Sequence, residues 1–171
     1  MTMNLVSQAE QTHTLADECR AFVSNYNGDN YFEDVALFLA EKVGCSYVLI
    51  GHLLPEDQNK IRTVVLAAKG KLVNNMTYSL FGTPCENVVG RNCCYFPTGV
   101  RYLFPDDKEL QDLNIESYIG SPLFTKDKKP LGLIVLMNET IIKDAKSIEK
   151  ALSILAERTE KEMLALPLEL A

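Results

Sequence analysis

The stretch from Tyr78 to Leu123 reads YSLFGTPCENVVGRNCCYFPTGVRYLFPDDKELQDLNIESYIGSPL. Gly82 closes a short alternating segment. Thr83 then suits an N-cap, Pro84 the first helical position, and Glu86 the reciprocal place three residues after Thr83. The pattern returns at Asp106, with Glu109 three residues on and Leu110 and Leu113 as an apolar face. Pro97-Thr98-Gly99 supplies a turn between the two, and Ser117 to Thr125 reads as a strand. Two small helices placed between strands predict a lid folded over a sheet.

Working outward, apolar residues recur at helical spacing from Thr14 to Tyr26, through Leu15, Cys19, Phe22 and Val23. The residues before them, 1–13, read as a flexible start. Asn27-Gly28 breaks that helix, and Asn30 with Glu33 predicts a second capping-box start. Phe32, Val35, Ala36, Leu39 and Val43 form its stripe, and Gly44 sits where a C-cap falls. Ser46 to Leu54 is apolar on both faces, the mark of a central strand covered on both sides. Ile61 to Ala68 and the segment around Met76, Tyr78 and Leu80 read as further strands. Leu131 to Met137 pairs with the strand after Ser117 through the hairpin turn Lys126 to Pro130. A long helix runs from Lys143 to Leu166, with Ile148, Leu152, Leu155, Met163 and Leu166 on one side and Thr159 a weaker member. Strands joined by hairpins and helices at both ends predict an α+β domain over residues 14–166 with a largely antiparallel sheet.

The totals exclude several function classes. A chain of 171 residues with 47% hydrophobic and 23% charged residues suits one soluble domain. No apolar run reaches membrane-spanning length, and the N-terminus lacks a basic start and an apolar run, so a cytoplasmic protein without a membrane partner is expected. A formal charge of −6 argues against nucleic acid. Five cysteines, an odd count without a CxxC pair, argue against a disulfide framework, and two distant histidines against a metal site. Capping accounts for Asp106 and Glu109 without a metal.

The chemistry concentrates in the opening stretch. Cys85 falls in the first turn of a helix start, where free N–H groups favour a thiolate. Its other reading is a small buried apolar residue under the lid. Cys93 and Cys94 are neighbours, so one is expected to pack inward and the other to face solvent. Half of the aromatics, seven of fourteen, gather here too, and they suit either the wall of a small-molecule pocket or a filled core.

The runs YSLFGTPCENVV, CYFPTGVRYLFPDD, ESYIGSPL and PLGLIVLM resemble a GAF domain of the bacterial sensor and signalling type, from about Tyr31 to Leu155. The resemblance implies a PAS-related antiparallel sheet of five to six strands. Terminal helices would pack on one face and small lid helices on the other. It implies a non-catalytic sensor of a small molecule or of redox state, dimeric through its helix side and acting on a signalling partner in trans. The helix over 143–166 would then reach into a dimer seam, or bury its stripe against Leu15, Phe22 and Val35 of its own chain. The ligand face would include Tyr78, Phe81, Cys85, Glu86 and Val89, followed by Cys94, Tyr95, Phe104 and Tyr118. The ligand and any cofactor stay unidentified. Bilin-binding relatives carry a Cys-His pair, absent here, and the diagnostic residues of cyclic-nucleotide binders have no convincing copy. The one haem-ligand candidate within the domain is His52, which has a structural reading as well. Free methionine-(R)-sulfoxide reductases share the fold and form the enzymatic alternative. They need a nucleophilic cysteine just before the strand matching Ser117 to Leu123, and Lys108 to Ser117 holds none. A dimerisation scaffold without ligand is the remaining alternative.

Overall fold

The alternation of side chains along the strands sets the layers. In a computed structural model describing residues 13–167, β1 (Tyr47–Leu53) is buried at every position. It pairs antiparallel with β2 (Lys60–Ala68) on one side and β7 (Pro130–Asn138) on the other. β6 (Ser117–Phe124) extends the sheet beyond β7, and β5 (Cys94–Phe96) closes that edge. At the opposite edge β2 carries the short strands β3 (Lys71–Leu72) and β4 (Thr77–Ser79). The order is β3-β2-β1-β7-β6-β5, with β4 also on β2.

The sheet has seven strands where the sequence predicts five to six. The addition is β3, two residues that no periodicity reveals. Lys69 and Gly70, at φ 52° and 78°, turn the chain so that Lys71 faces Ala68 and Leu72 faces Ala67. Two successive residues at positive φ match the twist of a tight hairpin.

One face of the sheet carries Val48, Ile50, Val65, Ile119, Ile134 and Leu136. They bury against α1 (Leu15–Asn25), α2 (Tyr31–Leu39) and α5 (Ala145–Leu164). The other face carries Tyr47, Leu49, Tyr118, Leu133 and Val135, which bury under the lid. The lid consists of a four-residue 3-10 turn at Pro84–Asn87, α3 (Val100–Leu103) and α4 (Lys108–Asp112). Terminal helices on one face and lid on the other is the predicted arrangement.

The helix ends depart from expectation in three places. Asn30 makes no capping bond: its ψ of 61° departs from the extended backbone of a capping residue, whereas Thr14, at ψ 160°, forms a full capping box with Asp17. Thr83 does not cap either, because its hydroxyl donates back to the Leu80 carbonyl at 2.8 Å. On the second lid helix the cap is Asp107, not Asp106; its carboxylate accepts from the Leu110 N–H at 3.3 Å. Gly44, at φ 73°, ends α2 after a π-helical turn, as its place in the sequence predicts.

The stripe of α5 is spent within the chain. Ile148, Leu152, Leu155 and Met163 are buried in the core shared with α1 and α2, so that face is not free for a seam with a second copy. Thr159, a weak apolar position by sequence, is fully buried and exchanges a 2.8 Å hydrogen bond with the Tyr31 hydroxyl. The segment 1–12 lies outside the described residues.

Candidate functional site

A cavity of about 460 Å³ lies between the lid and the sheet face that it covers. Its floor is laid by alternate residues of neighbouring strands: Tyr47 and Leu49 of β1, Leu66 and Ala68 of β2, Val135 and Met137 of β7. The period of two brings these side chains to one face, and pairing in register sets them side by side. The lid contributes Cys85, Leu110 and Leu113. The rim is formed by exposed residues, chiefly Val73, Ser79 and Phe81 on one side and Asp106, Lys108 and Glu109 on the other.

The polar corner of the cavity centres on Cys85. The Tyr78 hydroxyl donates to its sulfur at 3.3 Å and the Tyr118 hydroxyl at 3.2 Å. Tyr118 is wholly buried, and Phe96 packs edge-on against it at 5.9 Å. Phe104 packs edge-on against Phe96 at 5.5 Å, a second layer of the same aromatic wall. Gly120, two residues along β6, leaves room for this packing: a Cβ there would lie 2.7 Å from the Tyr118 hydroxyl and 2.8 Å from a Val88 methyl.

Burial decides the electrostatics. It pushes the Cys85 thiol above its ordinary range, against the opposing hydrogen bonds from Tyr118 and Tyr78. A 3-10 turn of four residues presents little dipole to offset that penalty, so the thiolate favoured by the helix-start reading is not stabilised here. Burial likewise pushes both tyrosines well above their usual value, with Cys85 adding to the effect. Asp107 is raised by burial as well, against hydrogen bonds from the backbone of Leu110 and Glu109.

Of the predicted ligand-face residues, the structure brings Tyr78, Phe81, Cys85 and Tyr118 to the cavity. Glu86 is exposed and outside the lining. Val89, Cys94 and Phe104 pack against the lid-side core without reaching the cavity. Tyr95 points to the other side of the sheet, where its hydroxyl donates to the Ile142 carbonyl at 2.6 Å. Cys93 packs against the helix-side core and Cys94 against the lid-side core, so both are half-buried and neither is freely exposed. All five cysteines are free thiols. The strand residues of the floor are absent from the sequence-based set. β1 and β7 are apolar on both faces, so their sequences do not say which alternate residues the lid covers. Among the described residues, no cluster of three or more His, Cys, Asp or Glu side chains has the geometry of a metal site, and no helix is long and apolar enough to cross a membrane.

No protein-family model and no curated protein matches the sequence. Solved structures do match the fold. The GAF domain of an Acinetobacter phosphoenolpyruvate-protein phosphotransferase superposes with a TM-score of 0.66 at 16% identity, covering 88% of this chain and 92% of that one. The free methionine-R-sulfoxide reductase of Neisseria meningitidis, solved with its substrate, gives 0.63 at 20% identity, covering 89% and 90%. The phycocyanobilin-bound GAF domain of a cyanobacterial phytochrome gives 0.60 at 13% identity, covering 88% and 94%.

Proposed function

We propose that this chain, which has the GAF fold, is a non-catalytic sensory domain that binds a small molecule between its lid and its sheet. The cavity of about 460 Å³ carries this reading, since its size falls in the range of about 300–1,000 Å³ typical of small-molecule sites. A scaffold with a filled core would leave no such space. In the proposed cycle, occupancy alters the lid and the sheet beneath it, and the helices on the far side pass the change to a signalling partner in trans. A cytoplasmic homodimer is the form in which we expect it to act, with contacts outside the stripe that α5 buries in its own chain. Native mass spectrometry of gently purified protein tests the reading. The expected spectrum shows a dimer carrying a small adduct that is lost on unfolding. An apoprotein that takes up no compound from a broad metabolite mixture contradicts it.

The second reading, a free methionine-(R)-sulfoxide reductase, draws support from the shared fold of the Neisseria enzyme. Against it, Cys85 is the only cysteine among the lining residues, its thiol is buried and hydrogen-bonded, and Lys108 to Ser117 supplies no second one. Incubation with free methionine-(R)-sulfoxide and a thiol reductant separates the readings: sustained turnover favours the enzyme, and none favours the sensor.

A further inference from the structure

The chemistry of the cavity wall limits what it can hold. The six floor residues offer one hydroxyl, that of Tyr47, and this donates outward to Glu139 at 3.4 Å. Within the polar corner, the hydrogens of Tyr78 and Tyr118 are both given to the Cys85 sulfur. The Thr83 hydroxyl is given to the Leu80 carbonyl, and the Asp107 carboxylate accepts from the Leu110 N–H. Among the described residues no buried side-chain nitrogen or oxygen is left without a partner. The hydroxyl hydrogens of Tyr47, Tyr78, Thr83 and Tyr118 are thus committed within the protein, and each would have to be withdrawn before it replaced the hydration of a charged group. The carboxyl and amino groups of the lining belong to Asp106, Asp107, Glu109 and Lys108, an acidic excess that repels an approaching anion. Among the described residues no arginine or histidine lines the cavity.

We infer that the cavity takes a small, uncharged, predominantly apolar molecule and discriminates against anions, carboxylates and phosphate esters included. The inference rests on the proposal that the cavity binds a ligand at all, and it adds the chemical class. Binding energy would come from burying apolar surface against the floor residues. An anion loses its hydration without compensation and also meets the acidic rim. Phe81, which lines the cavity while remaining 81% exposed, is placed to cover the apolar occupant.

Two dyes with the same rings test the class. N-phenyl-1-naphthylamine is uncharged, and 8-anilino-1-naphthalenesulfonate is its sulfonated counterpart; both brighten in apolar surroundings. The full chain is titrated with each, alongside Ala68→Trp, which fills the floor at a half-buried position, and Asp106→Lys, which changes the rim. We expect saturable binding of the uncharged dye at one per chain, and binding of the sulfonate at least about tenfold weaker, equivalent to about 1.4 kcal/mol. Ala68→Trp, verified as folded by circular dichroism, abolishes binding of the uncharged dye. Asp106→Lys narrows the gap between the dyes by strengthening the sulfonate. Equal or tighter binding of the sulfonate at a site blocked by Ala68→Trp overturns the class while leaving ligand binding intact. Binding of the uncharged dye that ignores Ala68→Trp, or no binding of it, also overturns the class. A retained adduct in native mass spectrometry would still support the sensory reading in those cases.

Discussion

At the scale of single residues, Cys85 illustrates how burial outweighs a helix terminus. The helix-start pattern around it is genuine in sequence, yet the turn is too short for its peptide dipoles to add up, and the thiol is 6% exposed. Cys85 is therefore expected to react with iodoacetamide more slowly than the half-buried Cys94 near neutral pH, as read by peptide mass spectrometry. Faster labelling of Cys85 would restore the reading of a reactive redox thiol. Gly120 is the second decisive residue. Gly120→Ala forces apart the Tyr118 ring and Val88, because the new methyl has less than van der Waals distance to both. A loss of about 1–3 kcal/mol in urea denaturation is expected, typical of overpacking, together with weaker binding of the uncharged dye.

At the scale of elements, the lid helix α4 shows a cap displaced by one residue. Asp106 and Asp107 carry the same side chain, and either satisfies the sequence rule for an N-cap. The carboxylate that reaches Leu110 N–H belongs to Asp107, the half-buried one of the two. Asp107→Ala is expected to cost about 1 kcal/mol in chemical denaturation, the usual worth of a cap. Asp106→Ala should be within about 0.5 kcal/mol of the parent, as an exposed substitution away from such features is. Equal losses would show that the two acids share the role. The β2–β3 hairpin teaches the same lesson about length: a two-residue strand has no period, and only the positive φ of Lys69 and Gly70 betrays it.

At the scale of the whole molecule, the helical layer is tied to the sheet by a core that also holds ionisable groups in their neutral forms. Burial raises Cys19 and Cys45 to about 11 and Tyr31 to about 12. A thiol whose folded value lies above its unfolded value of 9.0 stabilises the fold fully below pH 9 and loses that contribution as pH rises through 11. Tyr31 extends the loss from 10 towards 12. Thermal melts should thus be insensitive to these groups from pH 7 to 9 and fall steeply above, while Cys19→Ala and Cys45→Ala in combination flatten the decline between 9 and 11. The same core predicts that Leu155→Ala, at a fully buried position of α5, costs about 2–5 kcal/mol. A much smaller loss would mean that the α5 stripe is not held by its own chain.

The sequence by itself determined the α+β class, the order of the main elements and the existence of a lid. Hydrophobic period, turn residues and hairpin spacing are local properties, and they add up along the chain. Burial of β1 on both faces was legible in the same way, because Ser46 to Leu54 has no polar face to offer solvent. Four cavity residues, Tyr78, Phe81, Cys85 and Tyr118, could be picked out because they lie in the lid stretch or on the strand leading from it. The tertiary structure alone decided the rest: that Tyr95 faces the helices, that the floor comes from β1, β2 and β7, and that α5 buries its stripe at home. Those outcomes depend on which face of a strand meets which layer, on pairings between residues dozens of positions apart, and on whether packed side chains leave a space. Local pattern carries none of that information, since an apolar residue looks the same in sequence whether it fills a core or lines a cavity.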